Sequence, residues 1–330
     1  MSHATTILVK RTFRLALTGI CMAALPAAFA DALYPSRAIR VIVPWSPGVP
    51  ADAAARILAA RMSTSMKQPV VIENRPGASG TIGYAEVLRQ PADGYTVYVL
   101  SSASLVSPLL YPGRRLEFSK DLDAAGHIHW SYNALVVPVD SKLGKLGDIV
   151  STAKATPGKL SYVSAGNGTP AHMAGAAFNR YAAIQTTHVP YVQFPHAMND
   201  LLGGRVDYMF MTTVSAIPQV TGAKMRALAV TSGKRLPALP NVPTMTELGI
   251  PNFVFRSFET MTVKAGTPKD IVERLNSELN KALATPEVRE QFTANGWDIE
   301  PMLPEQITKV LASESERWMQ LGQDLQIKVD

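Results

Sequence analysis

Short runs of consecutive apolar residues alternate along this chain with runs that are apolar on one side only. Residues 38–44 have the pattern of a buried strand, and a helix is predicted from about Ala51, where every fourth position from Ala54 to Met66 is apolar. The elements predicted next are a strand at 69–73, a helix from about Thr81 and a strand at 95–100. This βαβαβ order predicts a parallel sheet with helices on both faces.

The same alternation restarts further along the chain. The predicted strands are 134–139, 160–163, 187–190, 206–211 and 226–231, and the predicted helices are 146–155, 170–183 and 195–202. A Pro-rich link over 236–251 leads to an extended run at 258–263 and then to helices that begin near Pro268, Pro286 and Pro304. Two α/β units and a helical tail suggest one lobe, an inserted second lobe and a return to the first.

The first thirty residues are typical of a secretory signal peptide. Basic residues precede an apolar run over 15–29, and Ala28-Phe29-Ala30 is a small-x-small cleavage pattern, so we predict cleavage before Asp31. A membrane anchor fits less well, because polar and helix-breaking residues interrupt the run. Lipidation at Cys21 is disfavoured because Ile20, rather than a small residue, precedes it.

Composition narrows the function further. With 47% hydrophobic and 18% charged residues in 330, the chain is suited to two ordinary hydrophobic cores. Loss of the basic leader would leave it only weakly basic, and no basic stripe with interleaved aromatics suggests nucleic acid as a partner. The single cysteine, Cys21, lies in the predicted leader, so we expect neither disulfides nor thiolate chemistry in a periplasmic chain. The Gly-rich stretch 77–83 lacks dinucleotide and phosphate-loop spacing, and no cofactor is predicted.

Four loops at predicted strand ends carry the candidate ligand-binding residues, since sites in such sheets lie at the carboxyl ends of strands. The loop 44–52 leads into a helix start, which favours an anion, although a Pro-rich turn capped by Asp52 is the alternative. The loop 164–172 combines two glycines with Thr169 at an N-cap position and His172 one turn in. His172 could contact a ligand or only hold the loop. The loops 101–104 and 211–215 offer hydroxyl groups.

At these residues the chain resembles the Bug-type periplasmic substrate-binding proteins of tripartite tricarboxylate transporters. The resemblance extends in order over the whole predicted mature chain. Its motifs are Tyr34-Pro35-Ser36, Val43-Pro44 with Pro47-Gly48 and Asp52, 69–80 (PVVIENRPGASG), 93–96 (DGYT), 157–160 (PGKL), 164–169 (SAGNGT), 188–191 (HVPY), 200–204 (DLLGG), 226–231 (RALAVT) and 265–268 (AGTP).

The resemblance implies a two-lobed periplasmic binding protein fold of type II, a Venus flytrap in which each lobe is a mixed sheet flanked by helices. The lobes would comprise residues 31–131 plus 255–330 and residues 132–254, with crossings near 129–133 and 257–258. Such a protein, which we expect to be monomeric, would capture a small carboxylate between the lobes and deliver it to membrane permease subunits. It would not be an enzyme.

The resemblance also implies which residues hold the ligand. Carried onto this chain they are Ser46, Gly48, Val49, Ala51 and Asp52 on one side and Ser164, Gly166 and Thr169 on the other, with Ser101 and Ser102 in support. Of these, Asp52 is expected to cap its own helix rather than contact an anion. Trp45, His172, Phe194, Met211 and Thr212 complete the predicted site.

Three departures from the family pattern bear on the ligand. Val49 and Pro50 stand where the family has glycines, Met211 stands where it commonly has Asp, and 192–196 replaces a Lys-Gly-rich run. Pro50 cannot donate an N–H and Met211 is apolar. We therefore hypothesise a ligand with one carboxylate and an apolar or aromatic body, rather than citrate or an acidic amino acid.

Competing interpretations stay open at this point. A receptor for a two-component sensor kinase would have the same fold. A periplasmic hydrolase would need Ser164 or Ser46 as nucleophile with His172, and no orienting carboxylate is visible in the sequence. His127 and His129 lack a third metal ligand, so no metal site is predicted. Arg256 and Glu259 could pair with each other, contact a ligand or lie in solvent.

Overall fold

Nine strands form the sheets of the protein in residues 34–191 and 193–327, the part of the chain that the computed structural model describes. They are β1 (Ile39–Val43), β2 (Val70–Asn74), β3 (Thr96–Ser101), β4 (Leu122–Pro138), β5 (Ser161–Ser164), β6 (Thr187–Pro190), β7 (Tyr208–Thr212), β8 (Met225–Val230) and β9 (Arg256–Lys264). The predicted signal peptide, residues 1–30, lies outside the described residues.

Twelve α-helices accompany the strands in the same part of the chain. They are α1 (Pro50–Met66), α2 (Thr81–Leu88), α3 (Ser102–Leu105), α4 (Ser107–Leu110), α5 (Phe118–Asp121), α6 (Leu146–Ala155), α7 (Pro170–Tyr181), α8 (Phe194–Leu202), α9 (Thr213–Thr221), α10 (Lys269–Ala284), α11 (Pro286–Ala294) and α12 (Pro304–Asp324). None of these described helices has the length and apolar character needed to cross a bilayer.

The first half of the sheet has the predicted parallel core. β1 pairs in parallel with β2 on one side and with β3 on the other. β9 then pairs antiparallel with β3, and β4 pairs antiparallel with β9. The apolar stripe predicted for α1 is buried, with Ala54, Leu58 and Met62 each at most 2% exposed. The period-four pattern therefore identified the face of α1 that packs into the core.

β4 continues into the second half of the sheet and is much longer than predicted. Its residues from Leu122 to Tyr132 pair with β9, whereas Asn133 and the residues after it pair with β7 and β8. On the outer side of β7 lie β5 and β6, all three parallel. The sequence prediction started this strand at residue 134, although polar and apolar residues alternate strictly over 127–133, as in a strand.

A second difference concerns the segment after β7. Residues 211–215 were predicted as a loop, but α9 begins at Thr213, directly after the strand. The ends of β1, β3, β5 and β7 each lead, directly or through a short loop, into the start of a helix: α1, α3, α7 and α9. Four strand ends are therefore each followed closely by a helix N-terminus.

Candidate functional site

A cavity of about 300 Å³ lies where these strand ends and helix starts meet. Its described lining comes from all four predicted loops, from α8 and from the inner faces of β4, β7 and β9. The lining residues are Trp45, Gly48, Val49, Pro50, Ala51, Ser101, Ser102, Ala103, Ser131, Ala165, Thr169, Pro170, Ala171, Phe194, Met209, Thr212, Ser215, Ser257 and Glu259. The volume suits a small organic molecule.

Two helices begin in the same way at this cavity. α1 starts with Pro50-Ala51 and α7 starts with Pro170-Ala171, and all four residues line the cavity. Proline at the first helical position has no N–H, and the N–H groups of the next residues have no partner within the helix. Both helix dipoles also place partial positive charge there, so the cavity favours an anion.

Asp52 holds the first loop in shape. Its carboxylate accepts hydrogen bonds from the Gly48 N–H (2.9 Å), from Asn74 Nδ2 (2.8 Å) and from Arg56 Nε (2.9 Å). Gly48 has φ +83°, a conformation that glycine adopts without strain. Asp52 is only 2% exposed and does not line the cavity. It therefore ties the loop to α1 and to the end of β2.

The ionisation of Asp52 fits this role. Burial opposes the charged form of the carboxyl, but hydrogen bonds from Arg56, Gly48 and Asn74 outweigh it and hold the pKa of Asp52 below its ordinary value. The carboxylate is thus charged at neutral pH and occupied by three donors.

The loop before α7 is built around Gly166. Its carbonyl accepts hydrogen bonds from Thr169 Oγ1 (2.7 Å) and Ser164 Oγ (3.0 Å), while its N–H donates to Ser164 Oγ (3.1 Å). Thr169 is the N-cap of α7 and its hydroxyl oxygen accepts from the His172 N–H. Of these residues, Thr169 lines the cavity, whereas Ser164 is fully buried.

His172 is placed as a residue that holds the loop. The Gly168 N–H donates to His172 Nδ1 (3.1 Å), and the imidazole stacks on His188 at 3.9 Å between ring centroids. Burial, with a contribution from His172, lowers the pKa of His188 to about 3, so that ring is neutral at physiological pH. His172 itself does not line the cavity.

The hydroxyl–imidazole pair expected of a hydrolase occurs with a different histidine. Ser164 Oγ lies 2.7 Å from His188 Nε2. Ser164 has no exposed surface and is absent from the described cavity lining, so this pair does not face the space where a substrate would bind. The contact joins the end of β5 to the neighbouring strand β6.

Serine residues from β3, β4, β9 and the start of α3 line one part of the cavity. Ser102 Oγ accepts from the Phe258 N–H (2.8 Å), and Ser131 and Ser257 share a hydrogen bond of 3.0 Å. Ser101 Oγ is buried without a protein partner. Glu259, paired in register with Ser101, is the acidic residue in this part of the cavity.

Arg256 and Glu259, which the sequence left open, have separate roles. The Arg256 guanidinium contacts Glu314 Oε1 at 3.2 Å and lies over the Trp130 ring, 3.6 Å from its centroid. Glu259 instead faces the cavity and His129. No group of three His, Cys, Asp or Glu side chains suited to a metal ion occurs in the described part of the chain.

The remaining walls are largely apolar. Trp45, Val49 and Phe194 contribute side chains from loops and helix starts, and Met209 contributes one from the middle of β7. Met211, which we predicted at the ligand, is fully buried in the hydrophobic core and does not line the cavity. The methionine that reaches the cavity is therefore Met209.

The structure brings most of the predicted site residues together. Those that line the cavity are Trp45, Gly48, Val49, Ala51, Ser101, Ser102, Thr169, Phe194 and Thr212, and those that do not are Ser46, Ser164, Gly166, His172 and Met211. Ser131 and Ser257 are cavity residues that the sequence did not indicate, and Glu259 is one whose role the sequence left open. They lie on strands whose alternating polar positions were the available signal.

Comparisons with known proteins agree with this architecture. The sequence profile of the tripartite tricarboxylate transporter family receptor, TctC, matches residues 54–327. A Pseudomonas sp. (strain P51) protein, described as the UPF0065 protein in the tcbD-tcbE intergenic region, is 39% identical over 87% of this chain and 86% of its own length. Protein BugT of Bordetella pertussis is 33% identical over 86% of this chain and 88% of its own.

Two solved structures with bound ligands are similar as well. Rpa4515 of R. palustris with adipate has a TM-score of 0.82 and 28% identity, over 90% of this chain and 100% of that chain. MatC (Rpa3494) from Rhodopseudomonas palustris with bound malate has a TM-score of 0.78 and 28% identity, over 87% of this chain and 99% of that chain. These structures share the two-lobed α/β fold of solute-binding proteins.

Proposed function

The chain belongs to the tripartite tricarboxylate transporter receptor family, and from this premise we propose that it captures a small carboxylate with an apolar body in the periplasm. It delivers that ligand to the permease subunits of a tripartite transporter. Solute binding is the activity of the family, and the proposal adds the ligand chemistry, the compartment and the partner.

The observation that carries the proposal is the pair of Pro-Ala helix starts at one cavity. The N–H groups of Ala51 and Ala171 belong to helices on different halves of the sheet and meet at the same space. The described lining residues include no Lys, Arg or His. A carboxylate is thus held by backbone N–H groups and hydroxyls, which bind an anion without a salt bridge.

The walls support an apolar body on the ligand. Trp45, Phe194 and Met209 surround a cavity of about 300 Å³, near the lower end of the range for small-molecule sites. The ligands named with the similar structures, malate and adipate, are dicarboxylates. An aromatic or aliphatic carboxylate covers these apolar walls better than citrate, whose further charges would lose hydration without a cation to meet them.

Closure of two lobes is the mechanism that we propose for capture. β4 connects the two halves of the sheet, with the change of pairing between Tyr132 and Asn133, and the chain returns to the first half at the start of β9. We assign residues 31–131 plus 255–330 to one lobe and 132–254 to the other. A ligand that contacts α1 and α7 at once favours the closed form, because its affinity for that form is greater.

A ligand screen tests the proposal. The purified protein is heated with benzoate, phenylacetate, adipate, malate, citrate or glutamate, and the hits are measured by calorimetry. Aromatic or aliphatic carboxylates are expected to raise the melting temperature most; a ligand at 100 times its Kd adds about 2.7 kcal/mol of stability. Stabilisation by citrate or glutamate alone would contradict the proposed ligand class.

Two variants on α8 test whether the ligand binds in the cavity. Phe194→Ala removes an apolar wall and is expected to weaken binding of an aromatic carboxylate by roughly tenfold or more. Leu202→Ala, at the exposed end of the same helix, is the control and should bind like the wild type. Equal affinities of the two variants would place the ligand elsewhere.

A further inference from the structure

Glu259 is the one ionisable side chain among the described residues that line the cavity. It is only 8% exposed and lies on β9, between Ser101 of β3 and His129 of β4 in the register of the sheet. A buried carboxyl is costly unless it is neutral or paired. The groups around Glu259 therefore matter for its protonation state.

The protein offers Glu259 little to bond with. His129 Nε2 is 3.0 Å from Glu259 Oε2, but the contact lacks hydrogen-bond geometry, and both atoms are buried without a hydrogen-bond partner. Ser101 Oγ, on the strand next to it, is likewise buried and without a partner. Two adjacent residues that line the cavity thus each carry a buried polar atom without a hydrogen-bond partner in the protein, as expected where a ligand completes the network.

The charges around Glu259 do not favour its ionised form. Burial lowers the pKa of His129 and of His127, its neighbour along β4, to about 3, so both rings are neutral. Arg256 on β9 is engaged by Glu314 and Trp130, and Asp52 on α1 is engaged by its own donors. With no cation facing it, burial raises the pKa of Glu259 to about 8.

We propose that Glu259 determines ligand specificity by binding as a protonated carboxyl, whose O–H donates a hydrogen bond to an oxygen of the ligand beside the Ser101 hydroxyl. This inference rests on the proposed function and refines its ligand class. A neutral carboxyl can donate a hydrogen bond to an anionic or oxygen-bearing ligand, whereas an ionised Glu259 would repel a carboxylate. Capture of a carboxylate then takes up a proton from solvent in an amount that rises with pH, from about half a proton at pH 8 towards one proton above it.

The sign of the pH dependence follows from this linkage. Below about pH 7 Glu259 is already protonated, and affinity does not change with pH. Above about pH 8 the empty site must first take up a proton, so affinity falls by up to tenfold per pH unit, or about tenfold between pH 7 and pH 9.

The test uses adipate and benzoate, both fully ionised from pH 7 to pH 9. Titration calorimetry at pH 7, 8 and 9, in two buffers of different ionisation enthalpy, gives the affinity and the number of protons taken up. Glu259→Gln, which keeps a neutral donor, is expected to bind within a few fold of the wild type at pH 7 and to lose the pH dependence. Glu290→Gln, at an exposed position, is the matched control.

Each outcome has a distinct meaning. Wild-type affinity that is constant from pH 7 to 9 without proton uptake overturns the role of Glu259 and leaves carboxylate binding intact. Absence of binding to either probe at any pH overturns the proposed function with it. Independently of ligand and of whether Glu259→Gln folds, the ¹³C carboxyl resonance assigned to Glu259 in the wild type should titrate near pH 8. Titration in the ordinary glutamate range would refute the inference.

Discussion

The side chains at this site fall into two groups. Some line the cavity, and others hold the lining residues in position. Asp52 belongs to the second group, since three donors occupy its carboxylate and none of its surface lines the cavity. Ser164 and Gly166 are similar, because they hydrogen-bond to each other and neither lines the cavity. A residue within a family motif can therefore serve to fix the conformation of a loop without lining the cavity.

The substitution Asp52→Ala tests this at the residue scale. Removing the buried carboxylate leaves the Gly48 N–H without its acceptor and takes one of two acceptors from Asn74 Nδ2. We expect a loss of about 1–3 kcal/mol in the free energy of unfolding. Ligand affinity should also fall, because Gly48 and Val49 lose their fixed positions. Urea unfolding and calorimetry measure the two effects, with exposed Asp140→Ala as the control.

The same carboxylate has a defined pH dependence. The pKa of Asp52 is lowered in the folded protein, so its stabilising contribution is present above the unfolded-state pKa and is lost as pH falls through the folded-state pKa. The stability difference between wild type and Asp52→Ala should therefore shrink in acid. A difference that stayed constant down to pH 3 would contradict the role of the charged form.

Sequence reasoning identified cavity residues in loops and missed those on strand faces. Gly, Pro and hydroxyl residues are typical of turns and helix caps, so they can be recognised in the sequence at strand ends. Ser101 and Thr169 were identified in this way. Ser131 and Glu259 lie inside strands, where only the two-residue period marks the cavity face. Met211 was misplaced because its burial depends on packing across β7 and β4, which no local pattern encodes.

At the scale of the elements, boundaries were well predicted wherever caps or prolines mark them. α6 at 146–155 and β6 at 187–190 have the predicted bounds, and α7, α11 and α12 begin at or next to their prolines. β4 was predicted too short because the polar residues His127, His129 and Ser131 interrupt the apolar run that is typical of a buried strand. The short α3, α4 and α5 have too few residues for a periodic pattern to show.

The start of α7 gives a prediction at this scale. Thr169→Ala removes the N-cap and the hydrogen bond to the Gly166 carbonyl, and should cost about 0.5–2 kcal/mol of stability. Because the first turn of α7 then frays at the cavity, carboxylate affinity should fall as well. Thr169→Ser keeps the hydroxyl and is expected to restore both, as thermal melts and calorimetry would show. Failure of serine to restore either property would mean that the methyl group, not the cap, is important.

The whole molecule is organised by β4, the strand that runs between the two halves of the sheet. β4 pairs with β9 up to Tyr132 and with β7 and β8 from Asn133 onward, so the halves share continuous backbone rather than a packed surface alone. The sequence pattern indicated two α/β units, and the resemblance to a family supplied their arrangement. The lengths of β4 and β9 could not be read from either, because they depend on pairings between distant segments.

Lobe closure predicts a distance change that can be measured across the cavity. The mature chain is predicted to lack cysteine, so spin labels can be placed at chosen sites, with exposed Ala60→Cys on α1 and Lys154→Cys on α6 as the pair. If a carboxylate bridges the starts of α1 and α7, the two proposed lobes are drawn together. The distance between the labels on α1 and α6 then shifts to shorter values on ligand addition.

A pair within one proposed lobe separates closure from a general compaction. Ala60→Cys with Glu290→Cys labels α1 and α11, which both belong to residues 31–131 plus 255–330. That distance should stay constant while the Ala60–Lys154 distance shortens, because rotation about β4 and β9 moves lobes as rigid bodies. If saturating ligand changed neither distance, the cavity would bind its ligand without closure, and the proposed delivery to a permease would have to rely on local changes at the cavity mouth.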